Sequence, residues 1–342
     1  MVLIKLNNRK ILISLLIILL ISCSNEKNVK VSKSEQISET EKIKTEKVIL
    51  NKKADSLNKQ IESLNTQKSK LNDSLIFYNN INSIIKNSFA DHVIIGNESL
   101  EKISDFFEKL GFSIKKGKSH KIGLTNNFIE FADNSELELV EIKNPSENFT
   151  KEYDKLISEK KYGLQFAIRV NEIEKLKNSF EKLNTIFTEI QKYTDFSTLS
   201  GNKINTELPI FFIQFEKLNN SIINHPNKVK GIYSVWFETK NIKKTAGQLV
   251  DLGFEPIGNY VIPTFSKKTV EFKNNNFSII LIDSDKYEIT GLSLITDKNI
   301  ELMKIIDKNF DKTFTNKIIT KPKSVFLPKE ITKSVWLEFS EK

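Results

Sequence analysis

The spacing of apolar residues changes several times along the chain. Residues 11–21 form an uncharged apolar run interrupted only by Ser14. Ser, Glu, Lys and Asn then dominate as far as residue 40, with little to bury, which is the composition of a flexible tether. Next, Ile43, Leu50, Leu57, Leu64, Leu71, Tyr78 and Ile85 recur every seven residues, with Ala54, Ile61 and Leu75 in partner positions and no Gly or Pro between them. This heptad stripe predicts a coiled-coil stalk over residues 41–87, about 70 Å long at the α-helical rise. Lys47, Lys68 and Asn82 take the other seam positions and weaken it. The same stripe also fits one long helix folded back onto the body. As a stalk, it offers a surface for a homodimer.

After Ser88, short β-branched or aromatic runs alternate with single helices, and the pattern recurs four times. The first unit is predicted as strand 91–96, helix 98–110 and strands near 112–115, 122–131 and 137–142. The second has strand 164–168, helix 171–183 and a last strand 210–215. The third has strand 234–237, helix 241–252 and a last strand 278–282. The fourth has strand 291–295, helix 298–309 and a last strand 334–339. Residues 99–112 overlay residues 241–254 without a gap at a shift of 142, both ending Leu-Gly-Phe. Such a unit cannot cover its own sheet, so units should pair into cups with helices outside. The expected fold class is α+β: four βαβββ units in two cups, residues 88–220 and a degenerate 229–342, behind a long helix or coiled coil.

Composition narrows the field. A net charge of +9 suggests nucleic acid, but only Arg9 and Arg169 are arginine, and the lysines are mixed with 43 carboxylates. Without clustered Arg and interleaved aromatics, no nucleic-acid partner is expected. Cys23 is the only cysteine, so the folded part has no intrachain disulfide, thiolate zinc site or cysteine nucleophile. No Gly-rich phosphate loop, His-Glu-x-x-His, Gly-x-Ser-x-Gly or Cys-x-x-Cys is present, which leaves phosphoryl transfer, zincin proteolysis and elbow-type esterase chemistry without support.

At the N-terminus, Lys5, Arg9 and Lys10 precede the apolar run, which is shorter than the roughly 20 residues of a membrane span. It closes Leu20-Ile21-Ser22-Cys23, which resembles the lipobox of bacterial lipoproteins. That resemblance implies a signal peptide over 1–22, lipidation of Cys23, a tether over 23–40 and a place in the cell envelope with the lipid bilayer as partner. The alternative is an uncleaved anchor with an incidental cysteine.

Residues 90–290 look like glyoxalase-like members of the vicinal oxygen chelate superfamily. The residues that carry the likeness are Asp91-His92-Val93-Ile94, Leu110-Gly111-Phe112, His120 with Thr125-Asn126, Leu137-Glu138-Leu139 and Leu208-Pro209-Ile210-Phe211-Phe212-Ile213-Gln214. The family places one ligand on the first and one on the last strand of each paired unit. The resemblance therefore implies His92 and Glu138 as metal ligands, with Gln165 (a shift of 73) and Gln214 completing the set. One divalent metal, Fe, Mn, Zn or Ni, would be the cofactor, and Glu138 would be both ligand and catalytic base. Two amides are poor anionic donors, so this set departs from a tight metal site.

The residues themselves support both functional and structural roles. Strand alternation puts Glu136, Glu138 and Val140 on one face, opposite Leu137 and Leu139, and puts His92 with Ile94. A buried Glu138 needs a partner; otherwise it is a surface carboxylate. His92 is a ligand or base, or else a rim histidine satisfied by hydrogen bonds. His120, Thr125, Asn126, Gln165 and Gln214 are candidate substrate contacts, although His120 and Thr125-Asn126 also read as loop surface. His225 reads as structural, and Trp236, Phe237 and Trp336 as core. In the second cup Ser234 and Ile279 or Ile280 replace the ligands, and Glu338 is left alone. The leading expectation is an envelope lipoprotein binding a small polar molecule in the first cup. The alternatives are a metal-dependent lyase, isomerase or dioxygenase, and a coiled-coil assembly protein.

Overall fold

The computed structural model describes residues 33–183, 189–200, 208–218, 223–263 and 265–342. The basic N-terminal residues, the apolar run and Cys23 lie outside the described residues. The chain divides into two compact units, Met1–Lys70 and Leu71–Lys342. Every described residue of the first belongs to helix α1, Lys33–Lys86. The helix begins within the stretch expected as tether and runs without a break. None of the described helices is long and apolar enough to cross a membrane.

The second unit follows the four-fold repeat. The first βαβββ unit is β1 (Phe89–Gly96), α2 (Leu100–Lys109), β2 (Lys115–Ser119), β3 (Leu124–Glu130) and β4 (Glu136–Ile142). Helix α3 (Asn148–Ser158), absent from the sequence-based expectation, leads to the second: β5 (Gly163–Arg169), α4 (Ile173–Lys182), β6 (Gln191–Lys192), β7 (Phe196–Ser200) and β8 (Ile210–Phe215). The third is β9 (Val229–Thr239), α5 (Ile242–Asp251), β10 (Glu255–Gly258), β11 (Thr269–Lys273) and β12 (Ser278–Asp283). The fourth is β13 (Glu288–Thr296), α6 (Asn299–Asn309), α7 (Lys312–Thr315), β14 (Ile319–Lys321), β15 (Ser324–Leu327), α8 (Lys329–Thr332) and β16 (Trp336–Glu341).

The repeated Leu-Gly-Phe has a local cause. Ser99 and Asn241 cap α2 and α5 by accepting from the backbone N–H groups of Lys102 and Lys244. Gly111 and Gly253 leave those helices at φ +86° and +91°, a conformation glycine adopts without penalty. Within each helix the apolar stripe, for example Leu100, Ile103 and Phe107, packs on the sheet.

Units pair by joining first strands antiparallel, β1 to β5 and β9 to β13, while each last strand runs parallel to its own first strand. The two eight-stranded sheets meet at one bridge, Ile289 to Gly163. A Cβ on Gly163 would stand 2.3 Å from the Ile289 carbonyl oxygen, so the junction requires glycine. One apolar core is shared by the helix-facing sides of both sheets, with Val93, Leu137, Phe166, Val235 and Leu337 among its members. Ile81, Ile84 and Ile85 of α1 belong to it. The last turns of α1 are therefore core, while the earlier heptad residues are exposed.

Candidate functional site

The inner face of the first sheet holds the site residues, delivered by strand alternation. Val93, Ile95, Leu137 and Leu139 go to the shared core; Ile94 and Val140 go to a separate inner cluster. A register shift between Ala90 and His92 makes Asp91 an extra residue in β1, and its carboxyl comes to the neighbouring imidazole. His92 Nδ1 lies 2.8 Å from Asp91 Oδ1. Arg169 donates to Asp91 Oδ2 at 3.3 Å and to the Asn134 carbonyl at 2.8 Å. On the other side His92 Nε2 stands 4.0 Å from Glu138 Oε2, and Asn126 Nδ2 donates to Glu138 Oε1 at 2.8 Å. Arg169, Asp91, His92, Glu138 and Asn126 thus form a nearly continuous polar chain across three strands and β5.

Burial works to lower the His92 pKa. The hydrogen bond and charge of Asp91, with the charges of Glu138 and Glu136, more than offset it and hold the imidazole at about 9. Glu136 is pushed up to about 7 by burial; His92 opposes the shift, and Asp91, Glu138 and Glu130 reinforce it.

Helix α3 covers this face. Tyr153 and Ile157 pack with Ile94, Val140, Ala167 and Phe211, and the Tyr153 hydroxyl donates to Gln165 Oε1 at 2.6 Å. Burial and then the Glu138 charge raise the Tyr153 pKa, which keeps the phenol neutral and a donor.

The structure brings His92, Asn126, Glu138 and Gln165 onto or beside this face. It separates the other candidates from it. His120 is exposed on the turn between β2 and β3. Thr125 points away from the cup, with its hydroxyl 3.1 Å from Ser119 Oγ. Gln214 accepts from the Ile173 backbone N–H at 2.8 Å and so serves the start of α4. Register explains the Gln214 error: Ile94 pairs with Glu138 and Ala167 pairs with Phe211, both related by the shift of 73. Phe211, not Gln214, is the counterpart of Glu138, and its ring meets the His92 ring edge-on. Asp91, Arg169, Glu136 and Tyr153 were missed. Phe149, Tyr153, Leu156 and Ile157 carry a helical spacing that could have exposed α3.

The second cup is closed by side chains. Trp236, Ile262, Ile280, Phe326 and Trp336 fill it. Trp236 pairs with Ile280 and Ser293 with Glu338, so Ile280 and Glu338 stand where Glu138 does in the first unit. Glu338 is the one carboxylate left at these positions, and the hydroxyls of Tyr260 and Ser293 donate to its Oε2 at 2.5 Å and that of Ser324 to Oε1 at 2.9 Å. His225 is structural: Ser113 N–H donates to Nδ1 at 3.0 Å, and Nε2 faces the Glu130 carbonyl oxygen at 2.9 Å. Trp236, Phe237 and Trp336 are buried, as expected.

These residues do not fit the metal centre that the resemblance implies. In the first cup only His92 and Glu138 are good donors among the equivalent strand positions. His92 directs Nδ1 at Asp91 and Nε2 toward Glu138, while the other two equivalent positions, Gln165 and Phe211, add only an amide and a phenyl ring to that pair. Among the described residues, no group of three or more His, Cys, Asp or Glu is placed to hold a metal ion.

A cleft of about 360 Å³ opens beside this face, where α3 meets the junction of the two sheets. Tyr153, Leu156, Lys161, Gln165, Leu208, Pro209, Tyr287 and Glu288 are among its lining residues.

Comparison with known proteins bears on this geometry. Residues 90–253 match the model of a glyoxalase-like domain. No curated protein is significantly similar to the chain in sequence. A hypothetical protein from Staphylococcus aureus is 15% identical with a TM-score of 0.52, over 75% of this chain and 100% of that one. Homoprotocatechuate 2,3-dioxygenase from Arthrobacter globiformis is 12% identical with a TM-score of 0.51, over 75% and 80%. An extradiol ring-cleaving dioxygenase from B. fuscum is 11% identical with a TM-score of 0.52, over 74% and 71%. At these identities the likeness is one of fold. Residues 90–253 are thus similar to a glyoxalase-like domain, and the solved structures share the fold of the body.

Proposed function

We propose that this glyoxalase-like body is a binding module, held at the cell envelope by a lipid on Cys23, and that it takes a small polar molecule in the cleft beside the first cup. The observation that carries the reading is Gln165. Tyr153 occupies its carbonyl oxygen, which orients the amide and leaves the NH2 group for an acceptor in a cleft of about 360 Å³. Lys161, its ammonium paired with Glu159 Oε2 at 2.7 Å, borders the cleft, and Leu156, Leu208 and Pro209 supply an apolar wall. A small carboxylate or amide with one flat apolar face has matching chemistry. His92 and Glu138 act here as a buried electrostatic support for the inner face, with no catalytic step assigned to them.

The test combines two measurements on the full chain in detergent. Thermal shift against a panel of small aromatic and aliphatic carboxylates and amides should give at least one saturable stabilisation, lost in Gln165→Leu. Elemental mass spectrometry should find no near-stoichiometric Fe, Mn, Zn or Ni. A stoichiometric metal that disappears in Glu138→Ala, or binding unaffected by Gln165→Leu, would overturn the reading.

A further inference from the structure

We propose that α1 is one strand of a parallel, in-register, two-stranded coiled coil formed by two copies of this chain. Ile43, Leu50, Leu57, Ile61, Leu64, Leu71 and Leu75 are each between 54% and 70% exposed on a helix uninterrupted by Gly or Pro. An isolated helix in water gains most of its stability by burying such a face.

The face fits a copy of itself. Assigning Ile43, Leu50, Leu57, Leu64 and Leu71 to heptad position d places Lys47, Ala54, Ile61, Lys68 and Leu75 at a. Leu at successive d positions with Ile61 and Ala54 at a suits two strands. Lys47 and Lys68 can lay their stems along the seam and send the ammonium groups outward, which a larger bundle would bury.

The flanks also match. Asn follows the d residue at 51, 58, 65 and 72, so the e positions carry a repeated neutral amide. In a parallel pair, Gln60 and Gln67 at g face the partner's Asn65 and the partner's Asn72. Glu39 faces the partner's Lys44, an opposite-charge pair. In an antiparallel pair e faces e and g faces g, and that attraction is lost. The assembly does not depend on the cleft reading, and its test reads neither ligand nor metal.

The experiment uses the full chain with Cys23→Ser, so that any introduced thiol is unique. Under mild oxidation in detergent, Leu57→Cys and Leu64→Cys should each yield a covalent dimer, while Lys59→Cys on the outer face should not. Adding Leu50→Asp and Leu71→Asp to Leu64→Cys should abolish the cross-link while leaving the near-ultraviolet dichroism of the body unchanged. Three outcomes would overturn the proposal. One is a monomeric mass with no seam cross-link, as when lipid or another protein covers the face. Another is equal cross-linking at residue 59. The third is cross-linking of mixed Leu50→Cys and Leu64→Cys chains in preference to like residues, the mark of an antiparallel pair.

Discussion

Asp91 Oδ1 lies 2.8 Å from His92 Nδ1, and these neighbours in sequence share a hydrogen bond because a bulge turns both side chains to one side of β1. That contact charges the first cup. With Asp91 also bound by Arg169, the imidazolium is compensated on one side by a fixed carboxyl group and on the other by Glu138.

Stability should therefore fall as pH rises. The His92 pKa of about 9 lies above its unfolded value near 6.5, so its stabilisation is complete below 6.5 and lost as pH climbs through 9. The amount at stake is on the order of 3 kcal/mol. Glu136, at about 7 against an unfolded 4.5, acts in the same direction between those values, because its protonated form is the one the fold favours. Urea unfolding between pH 4.5 and 10 should show both limbs. His92→Gln should flatten the upper limb and Glu136→Gln the lower; a wild-type profile flat from pH 6.5 to 9 would contradict the assignment.

Tyr153 is expected to divide into two energetic parts. Tyr153→Phe removes the hydrogen bond to Gln165 and should cost about 1 kcal/mol. Tyr153→Ala empties part of the inner cluster and should cost about 3–5 kcal/mol. Chemical denaturation of both variants checks the ratio, and equal losses would mean that the ring does not fill the cup.

Much of the fold could be read from residue order, because alternation and duplication leave local marks. The four-fold repeat, the Leu-Gly-Phe helix ends and the opposite facing of Glu138 and Leu139 are of this kind. The site was less legible, since its decisive contacts are non-local. The Asp91–Arg169 pair joins residues 78 apart, and the bulge that brings Asp91 to His92 has no signature in a single sequence. Gln214 illustrates a different limit: an error of three residues in register exchanged an inward phenyl ring for a helix-facing amide.

Glu338→Ala should be among the costliest changes in the second half. It would strip the acceptor from the hydroxyls of Tyr260, Ser293 and Ser324 in a cup packed by two indoles. A loss of about 3–5 kcal/mol is expected, with Glu338→Gln recovering part of it. Thermal denaturation of the two variants side by side is the measurement, and a near-neutral Glu338→Ala would show that the cluster is not closed.

Asn274 joins the end of α1 to the β11–β12 turn. Its Nδ2 donates to the Ile85 carbonyl at 2.9 Å, the Ser88 carbonyl at 3.2 Å and Ser88 Oγ at 3.0 Å. Asn274→Ala should cost about 2 kcal/mol and speed amide exchange over residues 79–88, with little effect on β1. Uniform loss of protection across the body would instead mark a global role.

The same junction bears on the order of synthesis. The Ile85–Asn274 contact spans 189 positions, and α1 contributes Ile81, Ile84 and Ile85 to a core shared by all four units. A chain that emerges N-terminus first must wait for the third unit before the end of its leading helix can be seated. Until then those isoleucines have no finished surface to meet, and closing so long a loop is slow. That interval is when the protein most needs a chaperone.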